Sequence, residues 1–246
     1  WRVGNGVATI YEKLRAYNPT LTLVLSDAYT DSFPTARPWD NWLQYDDWLK
    51  SEMADLQKKQ IPVTYWDVWG EPQGGTPFRG TYAQLLELFR RTYTVIKSVL
   101  PEAKVIGPSF DDFEGTFAGM TAGQLILDLD SQFHIRLDGL AWHELSYQNS
   151  DKIVNHVNSL RSFLSDKFPG YTPELHVNEY ANSADHHLPG HTFGYFQALQ
   201  EAGVDVTARA CWPQVPPSGT QWSDCWAGLN GLLMQDNVTP QSVFWL

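Results

Sequence analysis

Two short stretches carry the residue types for acid–base chemistry. Trp66-Asp67-Val68-Trp69-Gly70-Glu71-Pro72 and His176-Val177-Asn178-Glu179-Tyr180 each end an apolar run with a glutamate. Cleaving a glycosidic acetal takes such a pair of carboxyl groups. One protonates the leaving oxygen, and the other attacks or stabilises the anomeric carbon. A lone glutamate at a strand end is more often solvated or ion-paired than reactive. The weight here comes from two of them in matching settings.

The elements that must hold these residues alternate along the chain. Strand-like runs cover Thr20–Ser26, Val63–Trp69, Lys104–Ile106, Leu137–His143, Glu174–Asn178 and Val204–Trp212. Between them, helical spacing of apolar residues spans Trp39–Gln60, Tyr82–Leu100, Thr121–Phe133, Ser150–Lys167 and His191–Ala202, with one further helix over Gly6–Tyr17. Strand and helix in regular alternation predict βαβ units and a parallel sheet. Nothing matches the glycine-rich phosphate loops of nucleotide-binding folds. The fold class expected is therefore α/β, a (β/α)8 barrel, with the chemistry on the loops that follow the strands. Six units are visible where a barrel closes with eight. The expectation is one barrel domain over residues 1–246 that lacks its first one or two strands, with Asn230–Leu246 as the start of a shortened last helix. An association with a missing N-terminal segment follows from the same count.

Composition narrows the partners. In 246 residues, 17 basic against 28 acidic side chains give a formal charge of -11. That balance opposes binding to nucleic acid or anionic membrane, where Lys and Arg must neutralise phosphate. No stretch is apolar and long enough to read as a membrane span. The 11 Trp and 11 Tyr suit stacking on sugar faces and filling a core equally well. Cys211 and Cys225 lie close together in a Pro/Gly/Ser-rich segment, a spacing that fits a local disulfide, with two buried free thiols as the alternative. Such a bridge would contribute roughly 3 kcal/mol. It would place the protein in an oxidising, extracellular setting. The sequon Asn237-Val238-Thr239 points weakly the same way.

Taken with their order, these motifs resemble clan A glycoside hydrolases, most of all family 39, which includes β-xylosidases. Trp69-Gly70-Glu71-Pro72 is similar to the clan's Trp-Asn-Glu-Pro motif at the fourth strand end, and Asn178-Glu179-Tyr180 to its seventh-strand motif. The resemblance implies a retaining glycosidase with Glu71 as acid/base and Glu179 as nucleophile. It implies that apolar neighbours such as Trp69, and the charge of its partner, keep Glu71 partly protonated. It also implies a histidine at the sixth strand end, matched by His143 beside Glu144, and a sugar-platform tryptophan at the eighth, matched by Trp212. Gly107-Pro108-Ser109 looks like the family's fifth strand end. The departure is Gly70, where the family carries an asparagine for the sugar 2-hydroxyl; Asn178 is a candidate to supply an amide in its place. Tyr180 is a candidate to position the nucleophile. Neither a metal nor an organic cofactor is implied.

Other residues admit two readings. Asp27, at the end of the first strand-like run, is a candidate sugar contact on position alone. Asp67 shares strand parity with Glu71 and reads as structural, since a buried carboxylate demands a partner such as Arg209. Glu144 is either a third site carboxylate or a hydrogen-bonding group at the rim. His186, His187 and His191 follow Glu179; imidazoles ligate zinc, but the helical HExxH arrangement is absent. A histidine loop that contacts sugar, with His187 as the candidate, or that is merely exposed is favoured over a metal site. Trp39, Trp42 and Trp48 could extend a binding platform, but their place on a predicted helix favours core packing. The rival function is a catalytically silent carbohydrate-binding barrel, motivated by Gly70.

Overall fold

The computed structural model describes residues 3–74, 78–146, 149–182, 186–210 and 239–245. The chain divides into two compact units, Trp1–Leu140 and Ala141–Leu246.

The first unit opens with helix α1 (Val3–Leu14), a 3-10 turn over Arg15–Tyr17, and strand β1 (Leu21–Val24). Asn18 ends the turn in the left-handed region. The apolar run around β1 is shorter as a strand than its composition predicts, because helix α2 (Leu25–Ser32) begins inside it. Leu25, Ala28 and Tyr29 are buried at the i, i+3, i+4 spacing of one helix face. Thr30 Oγ1 also bonds back to the Ser26 carbonyl at 2.9 Å. After a 3-10 turn at Pro38–Asp40 comes helix α3 (Trp42–Lys58), started by Asn41, whose side chain accepts the Gln44 N–H. Such a cap satisfies one of the four N–H groups a helix start leaves without partners. Strand β2 (Val63–Asp67) and helix α4 (Tyr82–Val99) follow, α4 starting with a reciprocal Thr81–Gln84 capping box. Strand β3 (Lys104–Phe110) leads to a two-stranded hairpin, β4 (Thr116–Phe117) with β5 (Met120–Thr121), and to helix α5 (Ala122–Phe133). The hairpin strands, two residues each, are too short to register as alternation in the sequence.

Strands β1, β2 and β3 lie side by side in that order and run parallel. Leu23 is level with Trp66, and Trp66 with Val105. Outside the strands, Tyr45 and Thr92 join α3 to α4 by a buried 2.7 Å hydrogen bond. Trp48 stacks edge-on to Tyr29 and donates to Ser32 Oγ. Its 7% exposure makes it core, as the helical spacing predicts. Trp42 lies under the Arg91 guanidinium, and Trp39 packs against Phe78.

The boundary between the units falls inside strand β6 (Gly139–Glu144). The second unit continues with a 3-10 turn (Asn149–Asp151), helix α6 (Ile153–Lys167), strand β7 (Glu174–Tyr180), helix α7 (Pro189–Ala202) and strand β8 (Val206–Arg209). Helix α7 starts on Pro189 and stops at Gly203, whose φ of 66° suits a residue without Cβ. Arg161 of α6 closes that end by donating to the carbonyls of Ala202 and Gly203. Strands β6, β7 and β8 are neighbours in that order, with β7 and β8 parallel. The expected last helix is represented among the described residues by a 3-10 turn over Ser242–Trp245. No helix among the described residues is long and apolar enough to cross a membrane.

Candidate active site

In the first unit the site is built on the segment leaving β2. The Val68 N–H still bonds to the Ile106 carbonyl of β3 at 3.3 Å, and the Glu71 N–H bonds to the Ser109 carbonyl at 2.8 Å. Between these two bonds the chain turns, and Glu71 adopts a φ of 49°. Ser109, opposite, has the same φ. Residues with a Cβ seldom occupy this region, and they stay there only where their surroundings over-determine it. Ser109 Oγ donates to Asp67 Oδ2 at 2.7 Å, with both residues fully buried. Asp67 therefore reads as structural, its burial met as expected by a partner, which here is Ser109 in place of the suggested Arg209. Trp69 is buried too, its ring edge-on to Phe78 at 5.1 Å, so it packs inside the protein.

Gly70 N–H donates to Ser26 Oγ at 3.2 Å, and Ser26 Oγ lies 3.3 Å from Asp27 Oδ1. Asp27 is thereby linked to the Gly70 turn, although it sits in the first turn of α2 and not at a strand end as expected. The physical reason is the helical burial pattern that ends β1 early. A Cβ at Gly70 would meet Val24 Cγ1 at 3.3 Å, so a larger residue there requires Val24 to give way.

In the second unit the site is built on the ends of β6 and β7. His143 is buried, and its Nδ1 lies 3.9 Å from Glu179 Oε2 on a side chain that is 37% exposed. That distance is too long for a hydrogen bond and close enough for electrostatic influence. Glu144 is fully buried, and its Oε1 meets Trp142 Nε1 at 2.7 Å and His156 Nδ1 at 2.8 Å. Of the two roles expected for Glu144, the geometry favours the hydrogen-bonding one over sugar contact. His156 sits on α6, and no local sequence pattern marks it as a partner.

Strand β7 does not alternate simply at its end. Val177 is level with Thr207 and Tyr180 with Arg209, so β7 carries one extra residue across Asn178–Glu179. A bulge re-aims the side chains it contains. Asn178 and Glu179 are therefore not bound to the opposite faces that adjacent residues of a regular strand take. Tyr180 is buried against Tyr195. Burial raises its phenol pKa, and the hydrogen-bonded Arg209 guanidinium opposes the rise. Arg209 also donates to Thr192 Oγ1 and to the His186 carbonyl. His186 is buried, whereas His187 is exposed with its ring edge-on to that of His186. Trp212, Cys211 and Cys225 lie outside the described residues.

No protein-family model and no curated protein sequence matches the chain. Solved structures do. A protein from Neocallimastix frontalis is similar over 84% of this chain and 49% of its own, at 21% identity and a TM-score of 0.65. A family 39 β-xylosidase from Caulobacter crescentus is similar over 69% of this chain and 38% of its own, at 18% identity and a TM-score of 0.55. An endo-β-1,3-glucanase of family 128 from Amycolatopsis mediterranei, solved with laminarihexaose, is similar over 80% of this chain at 14% identity and a TM-score of 0.51. The fold is thus that of an incomplete (β/α)8 barrel, with six strands in one sheet among the described residues, as the six visible units predict. The chain spans about half the length of the first of these proteins and less of the second.

Proposed function

We propose that this protein is a retaining glycoside hydrolase acting on a neutral, β-linked oligosaccharide or polysaccharide. The observation that carries the reading is Glu179, a part-exposed carboxylate on the bulged end of β7 with the buried His143 imidazole beside it. Glu71, held in the left-handed region after β2, supplies the second carboxyl group. Glu71 gives its proton to the glycosidic oxygen as Glu179 attacks the anomeric carbon. The bond to the leaving group breaks, and a glycosyl ester of Glu179 forms. Glu71 then takes a proton from water, the water oxygen attacks the anomeric carbon, the ester bond to Glu179 breaks to return its carboxylate, and the sugar leaves with its configuration retained. Secretion and a Cys211–Cys225 disulfide belong to the same proposal.

A second reading, a carbohydrate-binding barrel without turnover, is favoured by Gly70. Incubation with xylo- and laminari-oligosaccharides, with the product anomer followed by NMR, tests both. Retention is expected. Inversion overturns the mechanism, and binding without products moves the protein to the second reading.

A further inference from the structure

Resting on that reading, we infer that Asp67 and Ser109 form a clamp that fixes the backbone beneath Glu71 and so positions the proton donor. Asp67 closes β2, level with Ile106 of β3. Its Oδ2 accepts the Ser109 hydroxyl at 2.7 Å, and the Ser109 carbonyl accepts the Glu71 N–H at 2.8 Å. One side of Ser109 is thus anchored to the strand that leads to Glu71, and the other side holds Glu71 itself. Both Ser109 and Glu71 stand at a φ of 49°, where neither would rest without support.

Burying a carboxyl group is costly unless hydrogen bonds offset it. Asp67 and Ser109 are both fully buried, so neither is placed to touch a sugar. They act through Glu71 as positioning residues. Reaction geometry is steep in distance: a displacement of about 1 Å costs roughly a hundredfold in rate. Releasing the Ser109 hydroxyl frees the Ser109 backbone to relax toward an ordinary φ, carrying its carbonyl away from the Glu71 N–H.

Amide hydrogen exchange by NMR and paired aryl glycosides test the clamp. Ser109→Ala should speed exchange at the Glu71 amide at least tenfold. The Phe78 amide, bonded to the Pro72 carbonyl, should keep its rate. First-turnover release of phenol from phenyl β-xyloside should fall about tenfold to a hundredfold. Release from 2,4-dinitrophenyl β-xyloside, whose leaving group needs no proton, should stay within twofold. Asp67→Asn keeps an acceptor oxygen and should preserve Glu71 protection. Should Ser109→Ala fold poorly, Ser109→Gly removes the hydroxyl while suiting a positive φ, and the same exchange result is expected. Unchanged Glu71 exchange in Ser109→Ala and Ser109→Gly, or an equal loss on both glycosides, overturns the clamp. No release from either glycoside by the unaltered protein sinks the glycosidase reading instead, full turnover in Glu71→Gln removes only its proton-donor role, and in either case the exchange rates judge the clamp by themselves.

Discussion

Glu71 and Glu179 both follow apolar strands, but different parts of the chain hold them. At Glu71 the control lies in the backbone. The residue leaves β2 in the left-handed region with its N–H tied to Ser109, and its surroundings are the buried Trp69, Asp67 and Ser109. At Glu179 the control lies in side chains and in strand register. The residue remains within β7, is turned by a one-residue bulge against β8, and has the His143 imidazole nearby. Glu144, next to His143 in the chain, is held by Trp142 and His156. In the proposed reaction the donor must reach the leaving oxygen at a defined angle, which backbone ties on its own loop would supply, and the nucleophile must stay in line, which a polar neighbour and a firm strand would supply.

Substitutions separate the two arrangements, beginning with the most damaging. On the proposed mechanism Glu179→Gln removes the attacking oxygen, so first-turnover rates should fall by roughly 10^4-fold or more. The loss should be the same for phenyl and dinitrophenyl glycosides, because both require attack. Glu71→Gln should cost about 10²- to 10⁴-fold on the phenyl glycoside and little on the dinitrophenyl one. Equal losses on the two substrates would erase the distinction between donor and nucleophile. Trp142→Phe keeps the ring and removes the donor to Glu144, leaving a buried carboxyl oxygen with one fewer partner. A loss of about 1–3 kcal/mol in urea unfolding is expected. Loss of the 3.9 Å His143–Glu179 approach in a crystal structure of that variant would show that the strand end depends on Glu144.

The smallest effect lies away from both sites and provides their pH baseline. Glu87 of α4 is held below the usual carboxylate range by hydrogen bonds from Arg90 and, next, Arg91, with burial opposing. Its folded-state pKa is depressed, so its contribution is present above the unfolded value of about 4.3 and lost as pH falls through the folded value. Glu87→Gln should destabilise by about 0.5–1 kcal/mol at neutral pH. That difference should vanish in acid, as measured by unfolding at both pH values.

Much of the fold could be read from residue order. The span Tyr82–Val99 differs from its predicted helix by one residue, because Thr81 and Gln84 mark its start and Pro101 prevents its continuation. Strand β7 runs on to Tyr180, past the Asn178 at which the apolar pattern breaks, because its pairing with β8 sustains it there. Asp27 was the misplaced residue. Leu23 and Leu25 alternate like a strand, while Leu25, Ala28 and Tyr29 share a helix face, and only packing decides where one pattern gives way to the other. His156 and Ser109 were beyond reach as supporting residues. Their partners lie on other elements, and no local spacing encodes such a meeting.

The sequence alone determined the alternation of strand and helix, the class of barrel it builds, and the two glutamates at strand ends. These depend on periodicity and on neighbours along the chain. Tertiary structure decided how each carboxyl group is held: the left-handed turn at Glu71 under Ser109, the bulge at Glu179, and the burial that gives Glu144 to Trp142 and His156. Hydrogen bonds between separate strands and helices set these features. Their geometry exists only once the elements have packed.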